Sequence, residues 1–95
     1  MGQVSSFNFT VNPEAATSFH DDGVVILHVG KGSLFRANRT GARIWRGVED
    51  QQSFESIVDS ISGEYQIART TAHTHALDFL TALERQALIQ REVAS

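Results

Sequence analysis

The nine residues from 37 to 45, Ala-Asn-Arg-Thr-Gly-Ala-Arg-Ile-Trp, mark the point where predicted strands give way to predicted helices. Before this stretch the apolar residues alternate or run together as they do in strands, and after it they recur at helical spacing. Asn38 is a favourable N-cap, because its side-chain oxygen can accept from the free N–H groups of a first helical turn. Trp45 follows on the apolar face of that helix. The sequence therefore predicts a sheet followed by helices, with Trp45 in the core between them.

Four short segments before this stretch have the residue patterns of β-strands. Residues 7 to 11 alternate apolar with polar side chains, and they predict either an edge strand or a partly ordered arm. Residues 15 to 20, 24 to 29 and 33 to 37 are separated by glycine-containing tripeptides that favour tight reversals. These three segments predict an antiparallel meander, in which residues 33 to 37 form an edge strand if the strands lie in sequence order.

The apolar residues after this stretch predict three helices. The first helix is expected from about Arg39 to Arg46, with Gly47 as its stop. Ser53 is the expected N-cap of the second helix, which ends at Gly63. Thr70 or Thr71 is the expected N-cap of the third helix, whose apolar stripe runs from Ala72 to Ala87. Leu88 and Ile89 are expected to close the chain against the core, and residues 93 to 95 are expected to fray. The order of elements predicts an α+β fold of the winged helix-turn-helix kind, with a three-stranded antiparallel β-meander followed by three α-helices.

Length and charge narrow the class of protein. The 95 residues are 41% hydrophobic, which suits one domain over residues 1 to 95 with a core from about 15 to 90. The formal net charge of -3 argues against a protein that binds nucleic acid through its phosphates. There is no secretory signal and no apolar run long enough to cross a bilayer, so we expect a cytoplasmic protein without membrane contact.

No group of side chains predicts catalysis, a metal ion or a cofactor. The chain contains no cysteine, which excludes thiolate ligands and thiol nucleophiles. His73 and His75 are two residues apart on a predicted helix, so their side chains point to different sides and cannot both coordinate one metal ion. The carboxylate pairs at 21–22 and 49–50 fall in predicted turns, outside the sheltered cleft that acid–base catalysis needs. We therefore expect no catalytic residues, no metal and no cofactor.

The predicted edge strand and the third helix together offer a surface for a peptide. An edge strand presents unpaired N–H and C=O groups, to which an extended peptide can add as a further strand. The candidate peptide-binding residues are Ser33, Leu34, Phe35, Arg36, Ala37, His75, Phe79, Ala82 and Leu83. On the strand, Phe35 and Ala37 share one face, and Leu34 and Arg36 share the other. Phe79 and Leu83 also have a simpler interpretation, as residues of the core.

These patterns resemble a known family. Residues 22 to 27, Asp-Gly-Val-Val-Ile-Leu, then Gly32 and the stretch from 37 to 45 are similar to the PqqD-like family, the precursor-peptide recognition elements of RiPP biosynthesis. RiPPs are ribosomally synthesised and post-translationally modified peptides. The Thr-Gly-Ala run followed by Ile-Trp most resembles free-standing members used in lasso-peptide biosynthesis. The resemblance covers about residues 15 to 90.

Three residues depart from the family pattern. Ala37 stands where a leucine is usual, His75 where an aspartate is common, and Ala87 where a glycine precedes Leu88. The fold that the resemblance implies is unaffected by these changes. The first of them thins the packing beneath the edge strand, and the second removes a carboxylate from the third helix, so both bear on the ligand.

The resemblance implies a non-catalytic adaptor. It would bind the leader segment of a precursor peptide by strand addition and present it to a leader protease or another modifying enzyme. We expect a monomer or a weak homodimer. An alternative is a winged-helix DNA-binding regulator, because a small sheet with three helices also forms that architecture. A third is an interaction subunit of a larger enzyme, without a peptide ligand of its own.

Charge separates the adaptor from the DNA-binding alternative. A helix that reads DNA would carry an excess of basic side chains. The segment from 72 to 87 has Arg85 against Asp78 and Glu84, and it is net negative when its histidines are neutral. The sequence therefore favours a peptide over a nucleic acid as the ligand.

Overall fold

Two small antiparallel sheets and three helices make up residues 7 to 93, the part of the chain that the structure, a computed structural model, describes. The elements in chain order are β1 (Phe7–Val11), β2 (Ala15–His20), β3 (Gly23–His28), β4 (Ser33–Ala37), α1 (Arg39–Glu49), α2 (Phe54–Tyr65), α3 (Arg69–Arg85) and β5 (Ile89–Val93). The predicted α+β architecture, a meander followed by three helices, is confirmed.

The meander has β3 at its centre and β4 at one edge, as predicted. β3 pairs antiparallel with β2 on one side and with β4 on the other. The inner face of the meander packs on the helices. On this face Ile26 of β3 is fully buried, and Phe35 and Ala37 of β4 are half-buried. Leu34 and Arg36 lie on the outer face of β4 and are exposed. The predicted division of β4 into two faces is confirmed.

β1 and β5 form a second sheet, which the residue patterns do not predict. They pair antiparallel along their whole length, and they bury Phe9 and Ile89 against the core. Leu88 is buried just before β5, so the predicted closure of the chain at residues 88 and 89 is confirmed. The predicted fraying is wrong for Val93, which is the last residue of β5. Residues 94 and 95 lie outside the described residues.

Glycine does not end the helices, so the predicted ends at Gly47 and Gly63 are wrong. α1 continues to Glu49 and α2 to Tyr65. The residues that take the left-handed conformation after the three helices are Gln51 (φ 62°), Gln66 (φ 53°) and Ala87 (φ 60°). A Cβ at Gly47 would lie 2.8 Å from Cγ1 of Ile57. Gly47 therefore allows α2 to pack closely on α1.

The predicted N-caps of the first two helices are confirmed. The side-chain oxygen of Asn38 accepts from the backbone N–H of Gly41 at 3.0 Å. The hydroxyl of Ser53 accepts from the backbone N–H of Ser56 at 3.2 Å. Each bond satisfies one of the donors that a helix leaves free at its start.

α3 begins without a side-chain cap, so the predicted caps at residues 70 and 71 are wrong. Ala68 occupies the N-cap position, and α3 starts at Arg69. The guanidinium of Arg69 donates to Glu55 at 2.6 Å and to Asp59 at 2.7 Å, both on α2. The hydrogen bond to Glu55, and then that to Asp59, raises the pKa of Arg69 above its ordinary value. Two ion pairs to α2 thus hold the start of α3 in place.

Trp45 joins the sheet to the helices, as predicted. Its side chain is fully buried, and its indole N–H donates to the hydroxyl of Thr17 on β2 at 3.0 Å. A buried indole usually finds such a partner, because an unpaired N–H in the core is costly. Trp45 therefore fixes α1 against the meander, and this sets the position of the first turn of α1 relative to β4.

Candidate functional site

An apolar groove of about 550 Å³ lies beside the open edge of β4. β4 forms one wall, α3 forms the other, and the first turns of α1 form the floor. The lining residues are Phe35, Arg36 and Ala37 on β4, the N-cap Asn38, Thr40, Gly41 and Ile44 on α1, and His75, Asp78 and Phe79 on α3. A cleft of this volume can hold more than one side chain of a peptide.

The floor of the groove is closely packed. A Cβ at Gly41 would lie 2.6 Å from the Cβ of Ala37 and 2.9 Å from Cε1 of Phe79. Only glycine therefore lets β4 and α3 approach α1 so closely. Ile44, one helical turn further along α1, is almost completely buried and still contributes to the lining. The positions of both walls are fixed by their contact with α1.

Two aromatic rings connect the walls of the groove. Phe35 on β4 and Phe79 on α3 meet edge to face, with their ring centroids 5.7 Å apart and their planes at 70°. Both side chains are half-buried and pack against the core. The pair thus anchors β4 to α3 and leaves aromatic surface open to the groove.

Ionisable side chains stand at the rim of the groove. Arg36 on β4 and His75 and Asp78 on α3 are all exposed. Within residues 7 to 93 the structure gives none of these three side chains a hydrogen bond or an ion pair. They are therefore available to a ligand, and they leave the floor free of charge.

The structure brings most of the predicted site residues together. Phe35, Arg36, Ala37, His75 and Phe79 line the groove. The other predicted residues lie outside the lining: Ser33 at the start of β4, Leu34 on its outer face, Ala82 further along α3, and Leu83 in the core. Leu83 is fully buried and offers no surface to a peptide, so it leaves the candidate site, and the simpler interpretation as a core residue is correct.

The lining residues that sequence reasoning missed are Asn38, Thr40, Gly41, Ile44 and Asp78. Asp78 could have been found from helical spacing, because it follows His75 by three residues and so shares its face of α3. Gly41 and Ile44 belong to α1, and nothing in their own pattern indicates that α1 forms the floor of a groove between two other elements.

Other functional groups do not gather elsewhere in the described part of the chain. Among residues 7 to 93, no group of three His, Asp or Glu side chains could hold a metal ion. His28 is buried, and its Nδ1 accepts from the backbone N–H of Lys31. His73 packs edge-on against Phe54. Within the same range, no helix combines the length and apolarity needed to cross a membrane.

A small α+β domain with an open strand edge beside an apolar, helix-walled groove is suited to binding an extended peptide by strand addition. The chain belongs to the PqqD family: the family model described as coenzyme PQQ synthesis protein D matches residues 23 to 89. The comparison with curated protein sequences found no match.

Two solved structures resemble the chain over most of its length. The first is TbiB1 in complex with the TbiA(beta) leader peptide, with 35% identity and a TM-score of 0.79, over 84% of this chain and 93% of that one. The second is lasso peptide synthetase B1 complexed with the leader peptide, with 26% identity and a TM-score of 0.78, over 86% of this chain and 96% of that one. The fold is therefore shared with proteins solved with a leader peptide bound.

Proposed function

We propose that the protein binds the leader segment of a ribosomally made precursor peptide, which adds as a strand to β4. The observation that carries this proposal is the apolar groove beside the open edge of that strand. Both matched structures are leader-peptide complexes of proteins with the same fold, which supports a leader as the ligand here.

The backbone of β4 supplies affinity that depends little on sequence. Its free N–H and C=O groups pair with the backbone of an incoming strand, whose alternate side chains then point into the groove. Burial of those side chains against Phe35 and Phe79 offsets the entropy that a flexible leader loses when it becomes ordered. Affinity therefore depends on both the backbone pairing and the apolar floor.

The protein acts in this proposal as a non-catalytic adaptor. It holds the leader while the rest of the precursor stays accessible to a leader protease or another modifying enzyme. Ionisable side chains at the rim and apolar residues at the floor suit the binding of a peptide. In this proposal the reacting groups belong to the partner enzyme.

The DNA-binding alternative gains no support from the structure. The exposed face of α3 carries Asp78 and His75 beside the groove, and Arg69 at the start of the helix is paired with two carboxylates of α2. A helix that enters the major groove needs free basic side chains for the phosphates. A peptide is the ligand that this surface favours.

Fluorescence polarisation tests the proposal. The probes are fluorescein-labelled synthetic leaders of the short peptides found encoded near this gene, and a scrambled peptide of the same composition is the control for each. We expect saturable binding with a Kd of about 10 μM or tighter, and no saturation by the scrambled peptide. Absence of saturation up to about 100 μM leader would contradict the proposal.

A second probe series tests strand addition itself. N-methylation removes a backbone donor without changing a side chain, so alternate methylated positions of the leader should lose affinity while the intervening ones should not. A leader that tolerates N-methylation at every position would bind without joining the sheet.

A further inference from the structure

The inner face of β4 presents a large side chain followed by a small one. Phe35 and Ala37 are two residues apart on the strand, are half-buried, and both line the groove. Phe35 fills its part of the wall, and its ring contacts Phe79 across the groove. Beside Ala37, only the Cβ projects from the strand. The space beside the strand is thus filled at Phe35 and left open at Ala37.

Contact with α1 fixes the position of Ala37. The Cβ of Ala37 would lie 2.6 Å from a Cβ at Gly41, so Ala37 already rests on the first turn of α1. A longer side chain at position 37 cannot extend over that turn and would occupy space in the groove. The identity of residue 37 therefore sets the depth of the groove at this end.

Phe35 and Ala37 would each face a different residue of an added strand. In a paired strand, the residue directly opposite shares the same face, with the two Cβ atoms about 4.5–5.5 Å apart. A peptide residue opposite Phe35 meets an aromatic ring at once. A peptide residue opposite Ala37 meets the space bounded by Ile44 and Phe79.

Ala37, Gly41, Ile44 and Phe79 give that space an apolar surface. The ionisable side chains Arg36, His75 and Asp78 stand at the rim and are exposed, and the other polar residues of the lining, Asn38 and Thr40, are uncharged. A charged peptide side chain directed to the floor would lose its hydration without gaining an oppositely charged partner. A large apolar side chain would instead gain contacts with both the floor and Phe79.

We propose that Ala37 is the specificity-determining residue of the groove, and that it selects leaders with a large apolar residue at the position paired with it. This inference rests on the proposed function, because it assumes that a leader adds to β4. It goes further by assigning the class of side chain that the leader must carry and the residue that reads its size.

The test is a double-mutant cycle between the protein and the leader. Each position of the synthetic leader is changed singly to alanine, and each peptide is titrated against the wild-type protein and against Ala37→Leu by fluorescence polarisation. We expect one large apolar position at which alanine lowers wild-type affinity about 10-fold or more. With Ala37→Leu, that same substitution should cost less than about 3-fold, because the leucine already fills the space.

Ala16→Leu is the matched control. It makes the identical change at an exposed position of β2, the opposite edge strand, and it should reproduce the wild-type profile at every leader position. The cycle measures the coupling between the substitution at position 37 and each alanine substitution in the leader. The inference would be overturned, while the proposed function still stands, if this coupling were absent, spread evenly along the leader, or centred on a polar residue. Failure of the unsubstituted leader to bind the wild-type protein would overturn both.

A size series guards against a folding defect in Ala37→Leu. The apolar leader position identified in the scan is changed to Ala, Val, Leu and Phe and titrated against the wild-type protein and Ala37→Val. Wild-type affinity should rise with side-chain size, and Ala37→Val should shift the optimum to a smaller residue. A wild-type series without dependence on size, or an unchanged optimum in Ala37→Val, would contradict the inference. Thermal melts establish that each variant is folded.

Discussion

The two edge strands of the meander expose the same kind of backbone groups, but different side chains stand beside them. Next to β4 lies an apolar groove, in which Phe35 meets Phe79 of α3. Next to β2 stand polar groups of α1. The guanidinium of Arg46 lies 4.2 Å from the ring centroid of Phe19, and the hydroxyl of Thr17 is hydrogen-bonded to α1.

The difference shows that an open edge alone does not define a binding site. Unpaired backbone groups can accept a strand at either edge, but only an apolar wall at the correct distance buries the side chains of that strand. At β4 this wall is α3, and close packing at Gly41 fixes its distance. We therefore expect a leader to distinguish the two edges by side-chain burial, and each prediction below tests that distinction.

Amide hydrogen exchange should show the largest difference between the β4 edge and the β2 edge when leader binds. With leader at 100 times its Kd, exchange of the β4 amides that pair with the peptide should slow about 100-fold, because only the free protein exchanges at those sites. Amides at the free edge of β2 should keep their rates. The measurement is amide exchange followed by NMR, and equal protection at both edges would remove the contrast.

Removal of one aromatic ring at each edge should give the next largest effect. Phe79→Ala should weaken leader binding about 30-fold, because central aromatic residues dominate such interfaces. Phe19→Ala at the β2 edge should change affinity less than about 2-fold. Fluorescence polarisation measures both affinities, and thermal melts establish that both variants are folded. Similar losses for the two variants would count against the groove as the site.

A charge on the outer face of β4 should have a smaller effect. Leu34 is 59% exposed and lies outside the lining of the groove, so Leu34→Asp should weaken leader binding about 3- to 5-fold without unfolding the domain. Val29→Asp changes another exposed apolar residue, in the loop before β4, and should leave affinity within about 2-fold. If Leu34→Asp matched the loss of Phe79→Ala, the outer face would be part of the site.

A substitution that changes only the stability of the fold should leave leader binding unchanged. Ala87 has a φ of 60°, a left-handed conformation that costs a residue with a Cβ more than it costs glycine. Ala87→Gly should therefore increase the free energy of unfolding by about 0.5–1 kcal/mol, or a few degrees in Tm. Calorimetry measures the stability, and leader affinity should not change. A change in affinity would mean that binding follows global stability.

Local patterns predicted much of the site. The alternation of residues in β4 identifies its two faces, since side chains in a strand alternate strictly. The open edge of β4 follows from the tight turns before it, because short hairpins place successive strands side by side. The pairing of β4 with α3 across the groove was proposed from the sequence as a hypothesis only, since no local pattern specifies which helix packs beside a strand.

The errors arose where distant contacts decide the structure. Gly47 was interpreted as a helix end, but its missing Cβ makes room for Ile57 of α2, a contact that no local pattern specifies. Likewise, Gln51 and Gln66 take left-handed conformations that propensity assigns to glycine. β5 was missed because its partner, β1, lies at the other end of the described chain. No short turn joins the two strands, so no local signal indicates that they pair.

The pairing of β1 with β5 also bears on the order in which the chain folds. The meander and the α1 cap depend on contacts between near neighbours in sequence, which form early because they close only short loops. The sheet of β1 and β5 must close a loop that contains the other three strands and all three helices. We expect it to form last, so that folding of the domain is limited by the joining of its outermost strands and not by assembly of the groove.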